Sequence, residues 1–398
     1  MSKQILLGVT GGIAAYKAAD LLRKMGKKSW SVQVVMTEAA TQFMGTMTMQ
    51  ALSGKTVFTE AFDARMPNIM PHIELSKGSN AIVIAPATAD CIAKLAQGLA
   101  SDLLSALCLA RDCPLIIAPA MNCRMWRHPA TQRNIEQLKA DGVIVIGPDT
   151  GELACREQGD GRMLDVDILL DAIDAQLSKK SLAGKRVLVT AGPTVEQIDP
   201  VRAITNQSSG KMGYAIAHAA NAAGAQVTLV SGPTALATPY GVRRIDVQSA
   251  QDMLDAVMPL ATQSDIFISV AAVSDYRVEN TAKSKIKKEN DSALTLTLLP
   301  NPDILATVSQ LADPPFCVGF AAETDNLIDN AQTKRQKKQV PMMIVNDAQT
   351  AIGSDHNLVN ILEDTGITPL GGPTEKGELA HQIIEKIADR ISQYPDKL

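Results

Sequence analysis

Apolar residues recur along this chain in two rhythms. Short, nearly continuous runs rich in Val, Ile and Leu predict buried parallel strands over residues 5–9, 32–36, 81–85, 115–118 and 143–146. Stretches at helical spacing separate them, the first over 14–25 and the last over 165–177. After a polar link, Ser178-Lys-Lys-Ser181, the alternation starts again. Strands are predicted over 186–190, 226–230, 265–270, 317–319 and 342–345, with helices over 214–223, 250–261 and 326–337. Residues 294–298 and 360–370 read as hairpin or edge material outside that second sheet. Repeated strand–helix alternation predicts an α/β protein with two doubly wound, mainly parallel sheets. The first is expected to be flavodoxin-like and the second Rossmann-like, dividing the chain into 1–180 and 181–398.

Bulk properties sharpen this only slightly. A chain of 398 residues exceeds the size at which one core stops growing, so two domains are expected. With 46% hydrophobic and 20% charged residues it reads as globular, and a net charge of −4 disfavours a nucleic-acid partner. No apolar run approaches the ~20 residues of a membrane span, and the chain enters a strand directly, unlike a signal peptide. The six cysteines (91, 108, 113, 123, 155, 317) form no CxxC pair, which fits a reducing cytoplasm and leaves any metal ligands unknown.

The chemistry-bearing residues gather after strands, where open α/β sheets bind ligands. Thr10-Gly-Gly-Ile13 leads into a helix and lets backbone N–H groups approach an anion, but it lacks the GxGxxG pattern of a nicotinamide site. Thr37, Ala85-Pro-Ala-Thr-Ala-Asp90 and Ala118-Pro-Ala-Met-Asn-Cys-Arg-Met-Trp126 follow later strands. Asn122 offers an amide to a carboxylate, and His72 precedes an apparent loop. Cys155 lies in the Gly-rich stretch 147–163, which has no periodicity and reads as a long, accessible loop. In the second half, Ala191-Gly-Pro-Thr194 and Ser208-Ser-Gly-Lys-Met-Gly213 are joined by two lysine clusters, at 283–288 and 334–338. A lysine run is usually a solvated face, yet two of them beside Gly-rich turns suggest a polyphosphate ligand.

These motifs resemble the bacterial bifunctional proteins of coenzyme A biosynthesis, in which a phosphopantothenoylcysteine decarboxylase is fused to a phosphopantothenate–cysteine ligase. The first half carries Gly-Gly-Ile-Ala-Ala-Tyr-Lys17, His-Ile-Glu-Leu75, Pro-Ala-Met-Asn-x-x-Met-Trp126 and Gly-Arg-Met163. The second carries Asp-Pro-Val-Arg202, Asn206-x-Ser-Ser-Gly-Lys-Met-Gly213, Ala-Ala-Val-Ser-Asp-Tyr-Arg277 and Asn-Pro-Asp-Ile304. The resemblance implies FMN held by Gly11, Gly12, Ile13, Ala14, Thr37 and Thr88. It implies His72 at the reacting thiol and carboxylate, Asn122 on the substrate carboxylate and Cys155 as proton donor. For the ligase it implies CTP with Mg2+, contacted by Ser269, Val270, Ala271, Asp275, Lys285, Pro302, Asp303, Ile304, Leu305, Phe320, Lys334 and Lys338, with Asn206 holding an acyl-cytidylate. The implied substrates are 4′-phosphopantothenate, cysteine and CTP. The implied assembly is a homo-oligomer, trimeric at the flavin half and dimeric at the ligase half, which together make a dodecamer. Three departures are visible: Arg156 stands where relatives usually carry glycine, Thr10 where serine is common, and Pro341-Met342 where an acidic residue and a leucine often precede the strand. The alternatives are a flavin-binding regulatory or scaffold protein, a flavin enzyme acting on a peptide cysteine, and a nicotinamide oxidoreductase.

Overall fold

Alternate residues of the strand Gln4–Val9 serve two different cores. Ile5, Leu7 and Val9 pack with the helices Ala15–Lys27 and Val166–Leu177, while Leu6 packs with Ile92, Leu104, Leu107 and Leu138 on the other side. Successive side chains of a strand point to opposite faces, so a strand buried on both faces must be apolar throughout. Each such buried side chain is worth roughly 1.5–3 kcal/mol. In this computed structural model, residues 3–60, 70–154, 156–287, 294–323, 326–347 and 356–392 are described. The chain divides into two compact units, 1–177 and 178–398.

The first unit holds a five-stranded parallel sheet. Its spatial order is Ser31–Met36, Gln4–Val9, Ala81–Ala87, Leu115–Pro119, Ile144–Val145, the 2-1-3-4-5 order of flavodoxin-like sheets. The stretch 147–163, expected as an aperiodic loop, instead forms an antiparallel hairpin of Asp149–Glu152 and Gln158–Arg162. Its glycines hid the strand signal, because Gly159 (φ +159°) and Gly161 (φ +137°) adopt backbone angles that side-chain-bearing residues avoid.

Asp174 ties the last helix of this unit to the sheet. It accepts from Lys28 at 2.7 Å and also from Lys3, whose ammonium stands 5.0 Å above the Trp30 ring. Burial would raise its pKa, but the two lysines outweigh burial and hold it at about 2. A depressed folded pKa gives stability that is present above the unfolded value near 3.9 and is lost as pH falls toward 2. The shift corresponds to about 2 kcal/mol. Asp174→Asn is therefore expected to lower the first unit's melting point at pH 7. The gap to the unsubstituted protein should close between pH 4 and 2, and a gap that persists at pH 2 would contradict the linkage.

The second unit holds an eight-stranded sheet whose spatial order begins Arg243–Asp246, Gln226–Ser231, Arg186–Ala191, Ile266–Ser269, Phe316–Glu323, Met342–Asp347. This is the 3-2-1-4-5-6 order of Rossmann-like sheets. Two antiparallel strands, His356–Glu363 and Gly366–Glu375, extend it at one edge. The expectation that 360–370 lies outside the sheet is thus corrected. The strand Leu298–Pro300 does lie outside it, paired with Tyr276–Val278. The helix Lys376–Ser392, which has an amphipathic stripe overlooked in the sequence, buries Leu379, Ile383, Ile384 and Ile387 against the sheet. No helix among the described residues is long and apolar enough to cross a membrane.

Candidate active sites

In a 2-1-3-4-5 sheet the chain reverses direction of winding between the first and third strands, and a crevice opens at their C-terminal ends. Here those ends are Thr10–Ala14 and Thr88. The buried hydroxyl of Thr10, which stands where serine is common, fastens the two ends together. It donates to the Pro86 carbonyl at 2.7 Å and accepts from the Thr88 N–H at 3.1 Å. Thr88 caps the helix Ala89–Ala96, accepting from the Cys91 N–H, and Thr37 caps the turn Glu38–Thr41 in the same way.

The glycines of the first turn differ in purpose. A Cβ on Gly11 would come within 2.5 Å of the Ala39 Cβ, so this glycine allows chain to pack on chain. A Cβ on Gly12 would meet only the Thr88 methyl, at 3.8 Å, so its surroundings are open. The N–H groups of Gly11, Gly12 and Ile13 have no hydrogen-bond partner among the described residues and precede a 13-residue helix. Unpaired N–H groups at a helix start suit a phosphate, and the exposed side chains of Ile13 (64%) and Tyr16 (61%) offer apolar surface beside it. A flavin mononucleotide, with one phosphate and a planar apolar ring system, fits this chemistry.

Asn122 follows the fourth strand and caps the helix Cys123–Arg127. Its Oδ1 accepts from the Arg124 N–H at 2.8 Å and its Nδ2 donates to Glu157 on the hairpin at 2.6 Å. The hairpin is pressed against this segment by the hydrogen bond from Met121 N–H to the Gly161 carbonyl, 2.9 Å. His72 lies on the one-turn helix Pro71–Glu74 and is half-buried. Cys155 lies outside the described residues. Its neighbour Arg156 has φ +63° and donates its N–H to the Leu153 carbonyl at 2.8 Å, a left-handed turn position that glycine occupies without steric cost.

The second unit has a cavity of about 700 Å³ at its own switch point, between the strands Arg186–Ala191 and Ile266–Ser269. Of the residues expected at the nucleotide, Ser269, Val270, Ala271, Asp275, Pro302, Asp303, Ile304, Leu305, Phe320 and Lys338 line it, together with Asn206. Lys211, from the Ser208–Gly213 motif, also lines it, as do Asn346 and Lys376, the last of which was not anticipated. Lys376 opens the edge helix, which periodicity alone did not connect to the site.

The wall is held by chain crossings. The N–H groups of Val270 and Ala272 donate to the carbonyls of Thr190 and Gly192, and the Ser274 N–H donates to the buried Thr194 hydroxyl at 2.9 Å. Asn206 donates its amide to the Ala272 carbonyl at 3.1 Å. Gly232 passes so close to Pro193 that a Cβ there would lie 1.8 Å from the Pro193 carbonyl oxygen. Lys338 pairs with Asp303 at 2.9 Å, and Asp303 also caps the helix Ile304–Ser309.

Lys285 and Lys334 are exposed and are not among the residues lining this cavity. Within the second lysine cluster, Arg335 is buried and pairs with Asp364 at 2.8 Å, so that member serves the fold. The segment carrying Lys285 is strapped down at Ile286 by Asp199. Its carboxylate, almost wholly buried, accepts from the N–H groups of Val201 (2.7 Å), Arg202 (2.9 Å) and Ile286 (3.1 Å) and from the Arg202 guanidinium (2.8 Å). Burial would raise the Asp199 pKa, but these N–H donors and the guanidinium hold it below the usual carboxylate value. Among the described residues no group of three or more His, Cys, Asp or Glu is arranged to hold a metal ion. Magnesium held largely through nucleotide phosphates requires no such cage.

Comparison with known proteins agrees with this division. Residues 1–178 match the family model described as flavoprotein, and residues 182–391 match the model described as DNA/pantothenate metabolism flavoprotein C-terminal domain. A coenzyme A biosynthesis bifunctional protein CoaBC from Vibrio vulnificus (strain YJ016) is 48% identical, with 97% of each chain covered. Its namesake from Escherichia coli (strain K12) is 44% identical, with 99% of this chain and 98% of the relative covered. A crystal structure of the C-terminal domain of such a protein is 40% identical over 54% of this chain and 100% of its own, with a TM-score of 0.47.

Proposed function

This chain belongs to the coenzyme A biosynthesis bifunctional proteins, and from that premise we propose how its two units divide the work. The second unit joins cysteine to 4′-phosphopantothenate, and the first decarboxylates the resulting 4′-phospho-N-pantothenoylcysteine to 4′-phosphopantetheine. The observation that carries the assignment is convergence. In each unit, motif residues distant in sequence meet at the switch point of that unit's own sheet.

In the second unit the nucleotide is CTP. The Ser269–Ala271 wall and the Pro302–Leu305 segment frame it, with Phe320 behind and Mg2+ on its phosphates. The carboxylate of phosphopantothenate attacks the α-phosphate, pyrophosphate leaves, and the amine of cysteine displaces CMP from the acyl-cytidylate. Asn206 orients that intermediate, and Lys285, Lys334 and Lys338 counter the charge on the transferring phosphoryl group.

In the first unit Gly11, Gly12, Ile13 and Ala14, with Thr37 and Thr88, would hold FMN. Bound there, it supplies reversible oxidation of the substrate thiol, which gives the electrons freed by carbon dioxide loss a sink. Asn122 holds the carboxylate that departs, His72 manages the proton at the thiol, and Cys155 returns a proton to complete the product. A reducing compartment such as the cytoplasm keeps Cys155 a thiol. The exposed apolar residues Ile13, Tyr16 and Met47 support self-association of the flavin unit into a trimer, with dimers formed through the ligase unit.

The test is one incubation with phosphopantothenate, cysteine, magnesium and either CTP or ATP, following pyrophosphate and carbon dioxide separately. CTP is expected to release both, and ATP far less. Pyrophosphate with no carbon dioxide from a flavin-bound protein would make the first unit a binding module and not a decarboxylase. Equal rates with the two nucleotides would remove CTP from the assignment.

A further inference from the structure

The Asn122 amide already holds a carboxylate. Its Oδ1 is committed to the Arg124 N–H, which turns Nδ2 toward Glu157 Oε2 at 2.6 Å. The Cys123 thiol stands 3.6 Å from the same oxygen, and the Arg124 guanidinium lies 3.1 Å from Oε1. An amide, a thiol and a guanidinium converging on one carboxylate make a recognition seat for that group. Glu157 reaches it from the turn of the hairpin, where its carbonyl accepts from the Leu153 N–H at 2.9 Å.

We infer that Glu157 is an internal occupant of this seat and that the substrate carboxylate displaces it on binding. The inference rests on the proposed role of Asn122. The seat has donors for one negative charge, and a second carboxylate within a few ångströms would be repelled in a partly buried setting. Seated Glu157 and seated substrate therefore exclude one another. The enzyme's affinity for its substrate is a difference between two carboxylates competing for the same donors. The Arg124 side chain is 84% exposed, so its pair with Glu157 is weak enough to be given up. A ligand without a carboxylate meets no such competition, because it leaves Glu157 in place.

The test uses the full-length, flavin-bound protein and two inert probes that lack the reactive thiol, phosphopantothenoylserine and phosphopantothenoylethanolamine. They differ only in the carboxylate. Glu157→Gln keeps the side chain's size and its acceptor for Asn122 but removes the charge. Affinity for the serine probe is expected to rise about three- to tenfold, while affinity for the ethanolamine probe stays within twofold. If both affinities fall together, Glu157 only holds the hairpin in place, and the inference is overturned. Unchanged affinities overturn it too. Asn122→Ala, measured in parallel, separates the two levels. If it abolishes the preference for the serine probe while Glu157→Gln leaves that preference unaltered, the Glu157 inference alone fails. If it leaves the preference intact, the role of Asn122 fails and takes the inference with it.

Discussion

Asp199→Ala is expected to lower cysteine ligation at least a hundredfold while leaving carbon dioxide release from supplied phosphopantothenoylcysteine within twofold. Asp199 is not among the residues lining the cavity of about 700 Å³ and is not one of the proposed substrate contacts. Its effect runs through the chain that it holds. Four donors converge on its carboxylate, one of them the N–H of Ile286, and the Arg202 guanidinium also donates to the Ile286 carbonyl at 3.0 Å. Lys285, the adjacent residue, is exposed and makes no hydrogen bond or ion pair of its own among the described residues. Removing the carboxylate strands partly buried N–H donors and frees the loop. A cation aimed at developing phosphoryl charge is worth about two to three orders of magnitude, and displacing such a group by an ångström loses a comparable factor. Asp199→Asn, which keeps one acceptor oxygen, should fall between. The check is pyrophosphate release with CTP, alongside nucleotide binding to confirm a folded site. Ligation within threefold of the unsubstituted enzyme would show that the strap does not position Lys285.

Gly161→Ala should do to the first unit what Asp199→Ala does to the second, lowering decarboxylation at least a hundredfold with ligation untouched. Gly161 crosses the Met121–Cys123 segment so closely that a Cβ would stand 2.3 Å from the Met121 carbonyl oxygen. Its φ of +137° is also unfavourable for alanine. The hairpin must retreat, breaking the bond from Met121 N–H to the Gly161 carbonyl and drawing Asn122 and the turn apart. Local overpacking of this kind costs about 1–3 kcal/mol, less than the 5–15 kcal/mol that holds a typical domain folded. The unit should therefore stay folded and bind flavin while turnover collapses. Gly45→Ala is the control, because a Cβ there meets nothing within 4 Å. Decarboxylation by Gly161→Ala within threefold of normal would mean that close docking of the hairpin is not needed.

Both predictions concern contacts between segments far apart in the chain, and this is where reading the sequence stopped. The strands at residues 5–9 and 187–189 were legible because a strand buried on both faces must be apolar along its buried length, which is a local property. The turns at the two switch points were legible too, since Thr10-Gly-Gly-Ile13 stands just before the helix Ala15–Lys27 and Ser208-Ser-Gly210 just before Lys211–Ala222. The hairpin at 149–162 was missed because its glycines, required by their backbone angles, erase the β-branched signature of a strand.

The sequence by itself thus determined two α/β units, the order of their parallel strands and the helices between them, and the turns at their switch points. Each of these depends on residues within one or two turns of one another. The tertiary structure alone decided that Thr10 bridges to Pro86 and Thr88, that Glu157 sits on Asn122, and that Lys376 enters the cavity wall. It also decided that Asp199 and not the cavity wall holds the Lys285 loop, and that the strands at 356–375 join the sheet edge. These are pairings of single polar atoms or strand edges across dozens of residues. No periodicity encodes them, because the partner of a buried donor is chosen only when the sheet brings the two segments together.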